Sequence, residues 1–213
     1  SFLPNWYFGT NYQDWVIFYL LMEASRWYRQ AEKMLQNNHE YHRHYEVQLA
    51  LADIEHQLGR WSRAQARYTK LIELSEVADS EYRKARVHLG QGQAFLTEEK
   101  IAKATPLLTQ AFDIFQHFHD WQSVGVTAML LGHIYTKHGR LDEAMTNYVA
   151  SARAFDAVND DLARTQALCE LEDLAKQPAL QVEQRQLISK MVGQWDERSY
   201  ISRFPDTLLR WFR

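Results

Sequence analysis

Residues 121–160 read WQSVGVTAMLLGHIYTKHGRLDEAMTNYVASARAFDAVND, and this stretch decides the fold. Leu131-Gly132 and Tyr135 lie in one apolar-periodic run. Gly139-Arg140 interrupts it, and Ala144 and Tyr148 lie in a second run. Spacings of three and four residues put each run's apolar residues on one helical face. Glycine just past the first run is the residue that closes a helix in the left-handed conformation. The stretch is therefore a pair of helices joined by a tight turn.

Moving outward by 40 residues at a time, the same pattern returns. Ala24, Ala64, Ala104 and Ala144 recur without a gap, followed four residues later by Tyr28, Tyr68, Leu108 and Tyr148, and three after that by Ala31, Leu71, Ala111 and Ser151. The small alanine permits close approach of helices, and the large residue fills the space between neighbours. The other helix of each pair aligns Leu49, Leu89, Met129 and Cys169, then Ile54, Ala94, Ile134 and Leu174. Ala52, Gly92 and Gly132 share a position that requires a small side chain, and Glu172 breaks that row. Asp79-Ser80, Asp120 and Asp160 precede the next pairs as N-caps. The pattern predicts helices over roughly 12–36, 40–58, 61–77, 80–97, 101–118, 121–138, 141–157, 161–176 and 180–194, with a short last helix near 206–212. The least regular stretch is 195–204.

These residues resemble the tetratricopeptide repeat. Unit 121–160 matches it best. Unit 41–80 is similar through Leu51-Ala52, Gly59-Arg60-Trp61, Ala64 and Tyr68. In unit 81–120, Glu99 replaces the turn glycine. Unit 1–40 keeps only the second-helix pattern, and unit 161–200 is degenerate, with Gln184 at the alanine position and Pro178 in the connector. The common repeat has about 34 residues, so this longer unit resembles those of signalling scaffolds and of the sensor arms of large bacterial regulators. The resemblance implies an all-α, right-handed superhelix (an α-solenoid) of antiparallel helix pairs, as a single domain over 1–213 with residues 201–213 as a C-terminal cap. Its implied function is a protein or peptide interaction scaffold; the alternative is a ligand-sensing or regulatory segment of a larger bacterial signalling or transcription-regulator protein. The chain opens on Ser1 rather than Met, so it is expected to be a fragment of such a protein.

In that family the first helix of each pair lines a concave groove. By register the groove rows are Asp53, Gln93, His133 and Asp173; Glu46, Arg86, Val126 and Gln166; and His56, Leu96, Thr136 and Lys176. Members that clamp a peptide's C-terminal carboxylate use Asn and basic residues at matching places. Asp, Gln, His and Asp stand in the first row here, which argues against such a clamp. The candidate contacts are Glu46, Asp53, His56, Arg86, Gln93, Val126, His133, Thr136 and Asp173. A mixture of polar and apolar groups suits an extended peptide or a helix laid in the groove.

Composition sets the remaining bounds. The net charge of -3 lacks the basic footprint of a nucleic-acid binder, so no direct nucleic-acid contact is expected. Gly and Pro together number 12, too few for the turns of a sandwich or barrel. The one cysteine, Cys169, excludes an internal disulfide and fits a reducing, cytoplasmic setting. Its register beside Leu49 and Met129 predicts a packed thiol. The longest apolar run, Trp15 to Met22, is too short to cross a membrane. No phosphate loop, nucleophile elbow or zinc-protease spacing occurs. The spacing of His39, His42 and His44 does not put three imidazoles on one face, and Cys169 has no assignable base. No enzyme activity, metal or cofactor is expected. Trp195, Tyr200, Phe204, Leu208, Leu209, Trp211 and Phe212 crowd the C-terminus, either sealing the last repeat or forming a contact surface for a missing domain or for a second subunit in a homodimer.

Overall fold

The computed structural model describes residues 12–35, 41–77 and 80–203, with side chains over 18–34, 43–73 and 80–195. All regular structure among the described residues is helical. The order is α1 (Tyr12–Leu35), α2 (Tyr41–Gln57), α3 (Trp61–Val77), α4 (Glu81–Thr97), α5 (Ile101–His117), α6 (Trp121–Lys137), α7 (Leu141–Ala157), α8 (Asp161–Ala175) and α9 (Val182–Arg203). Consecutive helices pack as pairs. From α2 to α7 every helix has 17 residues.

One device closes α2, α4, α5, α6 and α7. The middle residue of the turn after each of these helices is left-handed: Gly59, Glu99, His119, Gly139 and Asn159 have φ of 69, 58, 56, 70 and 57°. The following amide reaches back over five residues, as in Arg60 to the Glu55 carbonyl (2.8 Å) and Arg140 to the Tyr135 carbonyl (2.9 Å). The left-handed residue's own amide donates to the carbonyl three residues before it, as from Gly139 to Thr136 at 3.1 Å. These are paired Schellman bonds, which satisfy carbonyls that a helix end leaves open. Ser80, Asp120 and Asp160 then cap the next helices, accepting from the amides of Arg83, Ser123 and Ala163 at 3.4, 3.2 and 3.0 Å. A helix plus turn thus occupies 20 residues, and two make the 40-residue period.

The chain forms two compact units, residues 1–114 and 115–213. In the first, Tyr45, Leu49 and Ala52 of α2 and Ala64, Tyr68 and Leu71 of α3 build one core with Val87 and Ala94 of α4. A Cβ on Gly92 would stand 2.7 Å from Leu108, so α4 and α5 meet at the small-residue row. In the second unit, Met129, Ala144, Tyr148, Phe155, Leu168, Leu171 and Leu174 form a core that Leu180, Ile188, Val192 and Trp195 extend. Tyr148 lies against Gly132 and Phe155 against Gly125, with a built Cβ 2.6 and 2.7 Å from the rings.

The structure corrects three expectations. Helix α9 runs unbroken through 195–203, where the sequence pattern loses regularity. Apolar periodicity fades there, yet no Gly or Pro follows Gly193 before Pro205, and backbone hydrogen bonding needs no amphipathic stripe. Cys169 is exposed rather than packed. Its counterparts Leu49 and Met129 lie in cores that include the next pair's first helix, and α8 has no following first helix among the described residues. Finally, Tyr28 of α1 is exposed, whereas Tyr68 and Tyr148 are buried. Of the C-terminal aromatics, Trp195 packs into the second core; the expected helix near 206–212 and the other aromatic side chains lie outside the described residues. No described helix is long and apolar enough to cross a membrane.

Candidate functional site

The first helices α2 and α4 bring Glu46, Asp53, His56, Arg86 and Gln93 onto neighbouring elements of the first unit. Arg86 donates through Nη1 to both carboxylate oxygens of Glu46, at 2.8 and 2.6 Å. Both side chains remain partly exposed, so a carboxylate arriving from outside could compete with Glu46 for the guanidinium.

Asp53 sits deeper. Tyr68 donates its phenol proton to Asp53 Oδ1 at 2.6 Å, and the backbone at Gly90 passes close enough that a Cβ there would meet both groups at 2.9 Å. Burial raises the Asp53 pKa, opposed by the Tyr68 hydrogen bond and the positive field of Arg86. Burial likewise drives the Tyr68 phenol far up, reinforced by the Asp53 carboxylate, so it acts here as a proton donor only. His56 lies in the last turn of α2 with its Nε2 buried and unpartnered, and burial lowers its pKa against the pull of Glu98. Gln93 is half-buried on α4.

In the second unit, α6 and α8 are the paired first helices. His133 Nε2 of α6 lies 3.3 Å from Glu170 Oε2 of α8. The His133 ring stands edge-on to Tyr148, with centroids 5.6 Å apart. Tyr148 Oη is 3.3 Å from Thr136 Oγ1, which also donates to the Gly132 carbonyl at 2.9 Å. Burial pushes the Tyr148 phenol up to about 12, with Thr136 opposing and Glu170 adding to the rise. Val126 packs along the core edge. Asp173 stands apart from this group: it is exposed and pairs with Lys176 of its own helix end at 2.6 Å.

Two parts of the arrangement escape a register argument. Glu170 is off the three expected rows, yet it supplies the partner of His133; its offset of 37 from that residue, rather than 40, hid it. In the first unit, Arg67 of α3 donates to Glu55 at 3.1 Å and to Glu32 at 3.2 Å, and also bonds Gln48. Arg29 lies 4.0 Å from Glu55. The Glu55 side chain is only 3 % exposed, and a buried carboxylate of this kind requires such partners. Of the three histidines considered as ligands, His44 lies 3.3 Å from Gln48; the side chains of His39 and His42 lie outside the described residues.

No protein-family model matches the chain, and no curated protein matches it by sequence.

Proposed function

We propose that the chain is a tetratricopeptide-like interaction scaffold, its pairs wound as the right-handed superhelix that the resemblance implies, which binds a protein or peptide on the face of its first helices. The observation that carries this reading is the pairing of one first helix with the next: Glu46 with Arg86 between α2 and α4, and His133 with Glu170 between α6 and α8. Each pair joins groups of complementary charge capacity that are partly exposed. Each can therefore exchange its internal partner for a ligand's carboxylate or ammonium at small cost, because a half-exposed pair is worth about 0–1 kcal/mol. The half-buried Asp53, Gln93 and Thr136 beside them offer oriented polar groups for a peptide backbone. The reading is one of binding, not catalysis.

The test is quantitative affinity capture with the wild-type chain and with an Arg86→Ala/His133→Ala variant of matched circular dichroism. The expected result is a specific partner whose recovery falls at least about tenfold, the loss of two interfacial polar anchors. Identical recovery by both chains would refute the assignment of this face.

A further inference from the structure

Helix α1 carries a surface that the repeat leaves uncovered. Leu20, Trp27 and Met34, seven residues apart and so on one line along the helix, are 59, 66 and 64 % exposed. Ala24, Tyr28 and Ala31 continue this apolar face on one side. Tyr28 is 38 % exposed, while its counterparts Tyr68 and Tyr148 are each 1 % exposed.

The register tells what belongs on this face. Ala64, Tyr68 and Leu71 of α3 are covered by Tyr45, Leu49 and Ala52 of α2, the first helix of their own pair. Arg60, just before α3, and Arg67 within it are the counterparts of Leu20 and Trp27, and both face back to α1, the second helix of the pair before. Arg60 reaches Met22 of α1 at 3.5 Å, and Arg67 reaches Glu32 of α1 at 3.2 Å. The line through Leu20 and Trp27 thus corresponds to the side on which a preceding helix packs. Among the described residues, α1 lacks the turn that sets such a helix on α3, α5 and α7. The second helices α3, α5 and α7 begin at Trp61, Ile101 and Leu141, after a three-residue turn. Helix α1 begins at Tyr12 and runs for 24 residues straight through the counterpart of that turn.

Charge narrows the occupant. Arg26 and Lys33 flank the apolar line and make no ion pair among the described residues, with Glu23 the one acid beside them. Arg29 and Glu32 are turned inward to Glu55 and Arg67.

We infer that the exposed face of α1 is a docking site for an amphipathic helix of a partner protein, apolar along one stripe and acidic along one edge. The site is separate from the first-helix row and does not depend on the function proposed for it. Helix packing there buries Leu20, Trp27 and Met34 beside small Ala24 and Ala31, and brings the acidic edge to Arg26 and Lys33.

The probes are two fluorescein-labelled 17-residue helical peptides with the same leucine–alanine stripe, one edged with glutamate and one with lysine. Fluorescence anisotropy on the whole chain reads the affinity. The expected result is saturable binding of the glutamate-edged peptide, at least about tenfold weaker in Trp27→Glu, as for loss of a buried aromatic anchor. The Arg26→Glu/Lys33→Glu variant should instead prefer the lysine-edged peptide. Both variants replace exposed residues, and circular dichroism checks their fold. Binding unchanged in both variants, or no binding of either peptide to wild type, overturns the proposal. So does a wild-type dimer in sedimentation that Trp27→Glu dissolves, which would make a second copy the occupant.

Discussion

Two glycine-to-alanine substitutions within the second unit should move stability in opposite directions. Gly132 and Gly193 both lie inside helices, α6 and α9, where alanine is intrinsically better by about 1 kcal/mol. A Cβ on Gly193 meets nothing within 4 Å, so Gly193→Ala should stabilise by about 0.5–1 kcal/mol. A Cβ on Gly132 would stand 2.6, 2.7 and 3.0 Å from three ring atoms of Tyr148. That ring is fully buried and close to Thr136 at its hydroxyl, so it cannot swing aside. Overpacking of this kind costs about 1–3 kcal/mol. Three contacts at or below 3.0 Å place the case at the upper end, leaving Gly132→Ala destabilised by about 1–2 kcal/mol after the propensity gain. The two variants should differ by about 1.5–3 kcal/mol, or roughly 3–12 °C in Tm for a chain of this size. Urea unfolding followed by circular dichroism at 222 nm measures the difference. If Gly132→Ala were as stable as Gly193→Ala, the claim that α6 and α7 meet through Tyr148 on glycine would be wrong.

Other consequences follow from single residues. Glu99 carries a left-handed backbone that costs a side-chain-bearing residue about 1 kcal/mol, so Glu99→Gly should raise the urea midpoint while Gly139→Ala lowers it. Arg67→Ala should destabilise by about 3 kcal/mol, because it strips the closest cation from buried Glu55; Arg67→Met/Glu55→Met should lose far less. His56 has a folded pKa below 6.5, so the folded state resists its protonation. Stability should be unaffected above that value and fall as pH drops through 6.5 toward the folded pKa, and His56→Gln should remove that decline in urea titrations. Asp53 has a folded pKa above 3.8, so the folded state holds its proton more tightly. Its contribution should decline as pH rises from 3.8 through the folded pKa, and Asp53→Asn should lack this step while still accepting from Tyr68.

The docked helix inferred for α1 and the binding proposed at the first-helix pairs use different residues, and the tests separate them. Arg86 and His133 belong to the first-helix row, whereas Trp27, Arg26 and Lys33 lie on α1. A variant of one set should leave the other set's binding intact, since mutations without shared partners act independently.

Amino-acid order alone determined the helices and their period. Alanine, an aromatic or leucine four residues on, and a Gly or Asp at each end are local signals, and local hydrogen bonding reads them directly. The caps at Ser80, Asp120 and Asp160 and the glycine turns at 59 and 139 were legible for that reason. Which residues fall on the first helices was legible too, because register is counting along the chain. Tertiary structure alone decided which groups meet and which faces are covered. It turned Glu170 toward His133, gathered Glu32, Gln48, Glu55 and Arg67 from three helices, exposed Cys169, and left Trp27 bare. These depend on whether a neighbouring helix exists at a given phase. A period repeats the residue pattern at every unit, but burial at the ends of a stack depends on what stands beside it.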